Sequence, residues 1–279
     1  MKMMEYNINP LQDTSWAHPT VTKIMKPECA NLTQENPGRL NISRKVNSFP
    51  YFQDKTSLNS FLKAHTLSEM WKIAESLSPG GEFIPDCHNP HHVAIIVPYR
   101  NRAEQLPVFL GHIHPFVVNQ RIIHYRIYIV NQADEQEFNR ASLMNVGFNE
   151  AFKDFDWTCL IFHDVDHLPE DTRNLYSCPD QPRVMAVAVD KWNYTMLYAH
   201  YFGGVVALRK EHFEKINGVS NKFWGWGGED DDMRRRVVKH GMNITKYAKD
   251  IARYTTIKHE QAKKNPQRSK ILKETNRRY

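Results

Sequence analysis

Three short apolar runs, Val93-Ala-Ile-Ile-Val97, Arg126-Ile-Tyr-Ile-Val130 and Thr158-Cys-Leu-Ile-Phe162, constrain this chain more than any other feature. Runs of this length without polar alternation suit strands covered on both faces, as in a parallel sheet. Between the last two, Met144, Phe148, Ala151 and Phe152 recur at helical spacing. Strand, helix, strand, helix, strand in that order predicts an α/β chain with a doubly wound nucleotide-binding half. Its ligands belong beyond the carboxyl ends of the strands. Polar residues stand at those ends: Arg100 and Arg102 after Pro98, Asn131 after the second run, Asp164 and Asp166 after the third.

The remaining pattern is uneven. Residues 1 to about 55 are polar, with scattered Pro and Asn, and read as an irregular arm. A helix is expected over Leu58 to Leu77, ended by Ser78-Pro79-Gly80-Gly81. Further on, Val184 to Val189 and Val205 to Leu208 read as strands, and Asp230 to His240 as a helix with Met233 and Val237 inward.

At 279 residues and 41% apolar content, the chain can bury a sizeable core. Its formal charge of +6 lies largely in a tail holding Lys263, Lys264, Arg268, Lys270, Lys273, Arg277 and Arg278. No nucleic-acid-binding motif accompanies it, so a nucleic-acid partner is not expected. The sequence contains no apolar run of about 18 residues, and Met1 to Thr20 has no signal-peptide core. The four cysteines, Cys29, Cys87, Cys159 and Cys178, have neither zinc-finger nor redox spacing and leave room for two bridges. Glycosylation patterns at Asn31, Asn41, Asn193 and Asn243 tilt the reading towards a secretory compartment.

The chemistry concentrates in two places. Asp164-Val165-Asp166 closes an apolar strand, where two carboxylates can share a divalent cation and a nucleotide. Alone, Asp-X-Asp is as often a solvated turn. It is supported by Arg100-Asn101-Arg102 and by Phe138-Asn139-Arg140, suited to a diphosphate and a planar ring. Taken singly, each arginine is equally a surface ion pair and Phe138 equally a core residue. Three such clusters at successive strand ends favour a site.

The second place is Trp224-Gly225-Trp226-Gly227-Gly228-Glu229-Asp230-Asp231-Asp232. Adjacent acids repel, and Gly is poor in regular structure. Indoles offer flat apolar faces to a sugar ring, and Asp230, at a helix start, can act as general base. If the acids merely favour a helix N-terminus, the tryptophans and glycines stay unexplained. His259 precedes a basic segment, Lys263-Lys264-Asn265-Pro266, able to close over a ligand.

From about Gly80 to Arg268 the chain resembles the β-1,4-galactosyltransferases, including invertebrate β-1,4-N-acetylgalactosaminyltransferases. The resemblance is carried by Val97-Pro98-Tyr99-Arg100-Asn101-Arg102, Phe138-Asn139-Arg140-Ala141, Phe162-His163-Asp164-Val165-Asp166, Tyr201-Phe202-Gly203-Gly204 and the Trp224 to Asp232 block. It implies a GT-A, Rossmann-like fold with a mixed, mainly parallel sheet, a UDP-sugar donor and Mn2+. It further implies a GlcNAc-terminated glycan acceptor, inversion at the anomeric carbon, and a type II Golgi protein whose membrane anchor this chain lacks. The implied division is an N-terminal, stem-proximal arm over 1–78 and a catalytic domain over 79–279 that stops short of the family's final strands.

Matched by position, Pro98, Arg100, Arg102, Phe138, Arg140, Asp164, Val165 and Lys191 resemble nucleotide contacts. Tyr201, Trp226 and Asp231 resemble contacts to the donor sugar, Trp226 being the family's mobile tryptophan. Asp230 resembles the catalytic base, with Glu229, Trp224, Trp226 and Gly228 on the acceptor. Asp166 and His259 resemble metal ligands, and the cysteines fit as Cys29–Cys87 and Cys159–Cys178. Thr256 stands where most relatives carry a Met ligand. A harder oxygen donor there implies a weaker manganese preference or a water in its place, with Mg2+ as an alternative. Tyr201 occupies the donor-discriminating position, and its phenol crowds an N-acetyl group, which favours UDP-galactose over UDP-GalNAc. An inactive sugar-binding relative is the reading from another class.

Overall fold

The computed structural model describes residues 2–6, 77–78, 81–87, 90–260 and 262–278. The expected helix over Leu58 to Leu77 lies outside them apart from its last residue.

The three apolar runs form the centre of the sheet. They are extended by neighbours into β2 (His91–Tyr99), β3 (Ile123–Gln132) and β4 (Cys159–His163). β2 is buried without interruption from Val93 to Tyr99, because both faces are covered. Val93, Ile95 and Val97 point into one core with Phe109, Ile113 and Phe116 of helix α1 (Gln105–Val118). Ala94 and Ile96 point into the other, with Ala141, Leu143 and Met144 of α2 (Arg140–Asp154). The period of two along a strand thus builds two cores from one sequence run.

The seven-stranded sheet has the order β1-β3-β2-β4-β8-β6-β9, with β1 at Lys2–Tyr6, β6 at Arg183–Val184, β8 at Val205–Arg209 and β9 at Thr245–Lys246. β1, β3, β2 and β4 run parallel; β8 is antiparallel to β4 and to β6, and β9 is parallel to β6. This is the expected mixed, mainly parallel α/β sheet. A three-stranded sheet, β5 (His167–Pro169), β10 (Arg253–Thr256) and β7 (Ala188–Val189), lies beside it.

Several elements differ from expectation. Residues 2–6, read as part of an irregular arm, add an edge strand parallel to β3. Val184 to Val189 is not one strand: it leaves the large sheet after β6 and enters the small one at β7. Met185 N–H bonds Val205 O at 2.9 Å, while Ala188 N–H bonds Ala252 O at 2.9 Å. Continuous apolarity reports burial, and this segment is buried in two sheets in turn. The basic tail also forms a helix, α5 (Arg268–Arg278). Short helix α3 covers Lys210–Lys215. α4 covers Glu229–Lys239, with Met233 and Val237 buried as expected.

Gly147 sets how closely α2 approaches the sheet. A Cβ there would come 2.4 Å from Ile96 Cγ2 and 3.0 Å from Val130 Cγ2. Gly147→Ala therefore destabilises the protein by about 1–3 kcal/mol through overpacking, read as a lower denaturant midpoint at unchanged m-value.

Candidate active site

Each functional segment is placed by an ordinary local device. Asn139 ends the loop after β3 as the N-cap of α2: its side-chain oxygen accepts from Ser142 N–H at 2.9 Å, and its amide donates to Asn221 O at 2.7 Å. That fixes Arg140 in the first turn, facing the end of β4. Asp164, Val165 and Asp166 follow β4 directly, and His167 N–H closes a turn on Asp164 O at 3.1 Å. On the far side, Gly227 and Gly228 have φ of 102° and 103°, a region closed to most side chains. The chain can therefore turn sharply into α4 and aim its first turn at the strand ends.

These segments enclose a cavity of about 510 Å³. Of the expected site residues, Pro98, Arg102, Arg140, Asp164, Val165, Asp166, Lys191, Tyr201, Trp226, Gly228, Glu229, Asp230, Asp231 and His259 line it. Four do not. Arg100 lies over the Phe138 ring, 5.4 Å from its centroid, and donates to Gln136 O. Trp224 is half-buried, its N–H on Lys222 O at 3.2 Å. Thr256 commits both backbone N–H and hydroxyl to Asp190 Oδ1, at 2.9 and 2.7 Å.

Arg140 joins the two halves. Its Nε donates to Asp164 Oδ1 at 2.7 Å, and a terminal nitrogen donates to Asp230 Oδ1 at 2.8 Å and stands 3.7 Å from Glu229 Oε1. Burial pushes the Asp230 and Glu229 carboxyls above the ordinary range against the pull of Arg140, and neighbouring acids add to the rise. A carboxylate held in that state is suited to taking a proton near neutral pH. The backbone of Tyr201-Phe202-Gly203-Gly204 passes so close that a Cβ at Gly203 would lie 2.1 Å from Asp230 Oδ2 and 2.9 Å from the Tyr201 hydroxyl. Asp231 accepts from the Tyr198 hydroxyl at 2.8 Å. Asp232 is structural: it pairs with buried Arg236 at 2.7 Å.

Opposite, Asp166 is buried and surrounded by cationic and imidazole groups. His167 Nδ1 lies 2.9 Å from Oδ1, while His259 Nδ1 and Lys191 Nζ lie 3.5 and 3.8 Å from Oδ2. Burial raises its pKa, but these neighbours outweigh burial and hold the carboxyl well below the usual range. Asp164, Asp166 and His167 present ligand atoms within 4.8 Å of one another. An ionised Asp, a second carboxylate and imidazoles are a donor set suited to Mn2+. His167 was missed from sequence, although it directly follows the acidic motif. Tyr198 and Asp190 were missed as well, and only tertiary contacts reveal them.

The Trp224 to Asp232 block is tied to the segment after His259. Trp226 N–H bonds Lys263 O at 3.2 Å, Asn265 N–H bonds Trp226 O at 3.0 Å, and Lys264 Nζ lies 5.8 Å from the Trp226 ring centroid. Trp226 itself is 42% exposed.

Cys159 and Cys178 form a disulfide. Cys87 is disulfide-bonded too; its expected partner Cys29 lies outside the described residues, as do Asn31 and Asn41. Asn193 and Asn243 are exposed. Among the described residues, no helix is long and apolar enough to cross a membrane.

Known proteins resemble this chain in sequence and in fold. The family described as the N-terminal region of glycosyl transferase group 7 matches residues 46–179, and that described as the N-terminal domain of galactosyltransferase matches 183–260. Mouse β-1,4-galactosyltransferase 4 is 41% identical over 263 residues, covering 93% of this chain and 72% of that protein. Mouse β-1,4-galactosyltransferase 1 is 48% identical over 215 residues, 76% of this chain and 54% of that protein. The chain thus spans only about half the length of several relatives it matches. Among solved structures, Drosophila β-1,4-galactosyltransferase 7 in a mutant complex with manganese, UDP-Gal and xylobiose superposes with a TM-score of 0.54 at 33% identity. That match covers 61% of this chain and 71% of the other. With the strand-end motifs, the acidic helix start and these relatives in agreement, the chain belongs to the β-1,4-galactosyltransferase family and has its GT-A fold.

Proposed function

We propose that this protein transfers galactose from UDP-galactose, in β-1,4 linkage and with inversion, to a terminal GlcNAc of glycoproteins or glycolipids. The observation that carries this reading is the arrangement around Arg140: a raised carboxyl at Asp230 on one side, an Asp164–Asp166 cation site on the other. Asp230 takes the proton of the acceptor hydroxyl while that oxygen bonds the anomeric carbon; the bond to UDP breaks on the opposite face and its electrons leave with the diphosphate. Glu229 and Trp226 orient the acceptor; Arg102, Lys191 and Arg140 hold the donor side. Mn2+ at Asp166, when bound, supplies positive charge to the departing diphosphate. Residues 79–279 form the core of the catalytic unit, to whose sheet residues 2–6 add an edge strand, and the rest of 1–78 is the stem-proximal arm. A Golgi-lumenal setting is supported by the Cys159–Cys178 disulfide and by the exposed sequons at Asn193 and Asn243.

Tyr201 selects the donor. Its ring is 8% exposed and its hydroxyl lies against Gly203 and Gly204, leaving little room for an N-acetyl group. A donor screen with UDP-galactose and UDP-GalNAc, with Mn2+ or Mg2+, on GlcNAc and xyloside acceptors tests the assignment. The expected result is galactose transfer to GlcNAc, and Tyr201→Leu raises the GalNAc-to-galactose rate ratio about 10-fold or more. Equal wild-type rates with both donors overturn the Tyr201 assignment. No transfer under any condition favours an inactive sugar-binding protein.

A further inference from the structure

We propose that His163 is a positioning residue of the cation site, its ring held by a one-directional hydrogen-bond relay that runs from Asn174 through Tyr254 and Tyr176. The inference rests on the Asp166 cation-site reading above but not on the identity of donor or acceptor.

His163 is the last residue of β4, fully buried, and it does not line the cavity. Its Nδ1 lies 2.9 Å from the carbonyl oxygen of Asp164 and its Nε2 lies 2.8 Å from the Tyr176 hydroxyl. The hydroxyls of Tyr176 and Tyr254 are 3.2 Å apart, and the Asn174 amide donates to Tyr254 at 3.3 Å. All four side chains are buried. The two ends set the direction of every proton between them, because an amide N–H can only donate and a carbonyl oxygen can only accept. Asn174 donates to Tyr254, Tyr254 to Tyr176 and Tyr176 to Nε2, and the ring then donates from Nδ1 to Asp164 O. A neutral imidazole in the Nδ1–H form satisfies both of its contacts.

The relay ends on the atom that closes the ligand turn. Asp164 O also accepts from His167 N–H at 3.1 Å, and Asp164 N–H bonds Gly204 O at 3.0 Å. At its other end the relay starts from β10, whose continuation carries His259: Ile257 N–H bonds Asp166 O at 2.8 Å, and His259 Nδ1 lies 3.5 Å from Asp166 Oδ2. The relay thus spans the two strands whose ends bring Asp166 and His259 together. Without the His163 donor the Asp164 peptide is free to rotate, and the Asp166 carboxylate moves with it. A ring that only filled space would serve equally in either tautomer.

Nitrogen-15 NMR of the metal-free, histidine-labelled protein reads the tautomer, with the His163 signals identified by their loss in His163→Asn. The Nδ1–H form is expected in the wild-type protein. Mn2+ affinity, followed by the free-ion EPR signal, falls about 10-fold or more in His163→Leu. His163→Asn, whose side-chain amide reaches the place of Nδ1, recovers most of it, and Tyr176→Phe and Tyr254→Phe give smaller losses in that order. Gly147→Ala, destabilised away from the site, binds Mn2+ as the wild type does. The Nε2–H form in the wild type overturns the proposal, as does an Mn2+ affinity within about twofold of wild type in both His163→Leu and Tyr176→Phe, or an equal loss in Gly147→Ala. The tautomer and Tyr176→Phe decide the matter even if His163→Leu fails to fold. A wild-type protein that binds no Mn2+ overturns the cation-site reading and the relay with it, whereas wild-type binding that the variants leave unmoved overturns the relay alone.

Discussion

Asp230→Asn lowers kcat for sugar transfer by about 10³-fold, within the range for loss of a general base, while Mn2+ and UDP binding stay within about twofold. The amide keeps the size of the carboxyl and still accepts from Arg140 at the Oδ1 position, 2.8 Å away in the native site. What it loses is the ability to take a proton from the acceptor hydroxyl. The pH profile gives an independent reading of the same group. Burial holds the Asp230 carboxyl well above the ordinary range despite Arg140, and the base acts only when ionised. Activity therefore rises with pH through that raised value, and its acid limb lies above the range of a solvent-exposed Asp, about 3.9. An acid limb at the ordinary position, or full activity in Asp230→Asn, removes Asp230 from the role of base.

Arg140→Leu is the second large effect, and it strikes stability as well as catalysis. The guanidinium is 11% exposed and faces Asp164, Asp230 and Glu229. Without it, three carboxylates share a largely buried space with no cation. Breaking a buried pair in this way costs about 3–5 kcal/mol. For a domain of this size that is a fall in Tm on the order of 10 °C. The acid limb of the pH profile moves further upward, because the group that opposes the rise in Asp230 is gone. Arg140→Lys restores a charge but not the fork that reaches Asp164 and Asp230 together, so it recovers part of the stability and little of the rate. Thermal unfolding and a pH-rate series on both variants check this; a melting temperature within about 2 °C of wild type for Arg140→Leu contradicts the bridging role.

Much of the fold was legible because its decisive segments are local. Val93 to Val97 announces a strand buried on both faces by apolarity alone, and the polar residues that follow each run fall where an open α/β sheet binds ligands. The Trp224 to Asp232 block likewise betrayed itself by composition. Other features were hidden because they are relations between distant residues. Nothing near Arg140 reveals that it will meet an acid 90 positions on. His167 sits in plain view beside Asp166, yet only the fold shows its Nδ1 held 2.9 Å from that carboxylate. The Val184 to Val189 run could not disclose that it serves two sheets, since burial looks the same in either. Residues 2–6 carry no strand-like apolarity comparable to the central runs, and their pairing depends on an edge that β3 supplies.

That passage between sheets bears on how the site holds together. Met185 and Ala188 are hydrogen-bonded to opposite neighbours, Val205 in one sheet and Ala252 at the root of the other. Asp166 and Lys191 flank the smaller sheet, while Arg140 and the ends of β2 and β3 belong to the larger. Opening one sheet therefore pulls directly on the backbone of the other. A backbone shared in this way couples the Asp166 side of the cavity to the Arg140 side and helps to keep the spacing between its two charged faces.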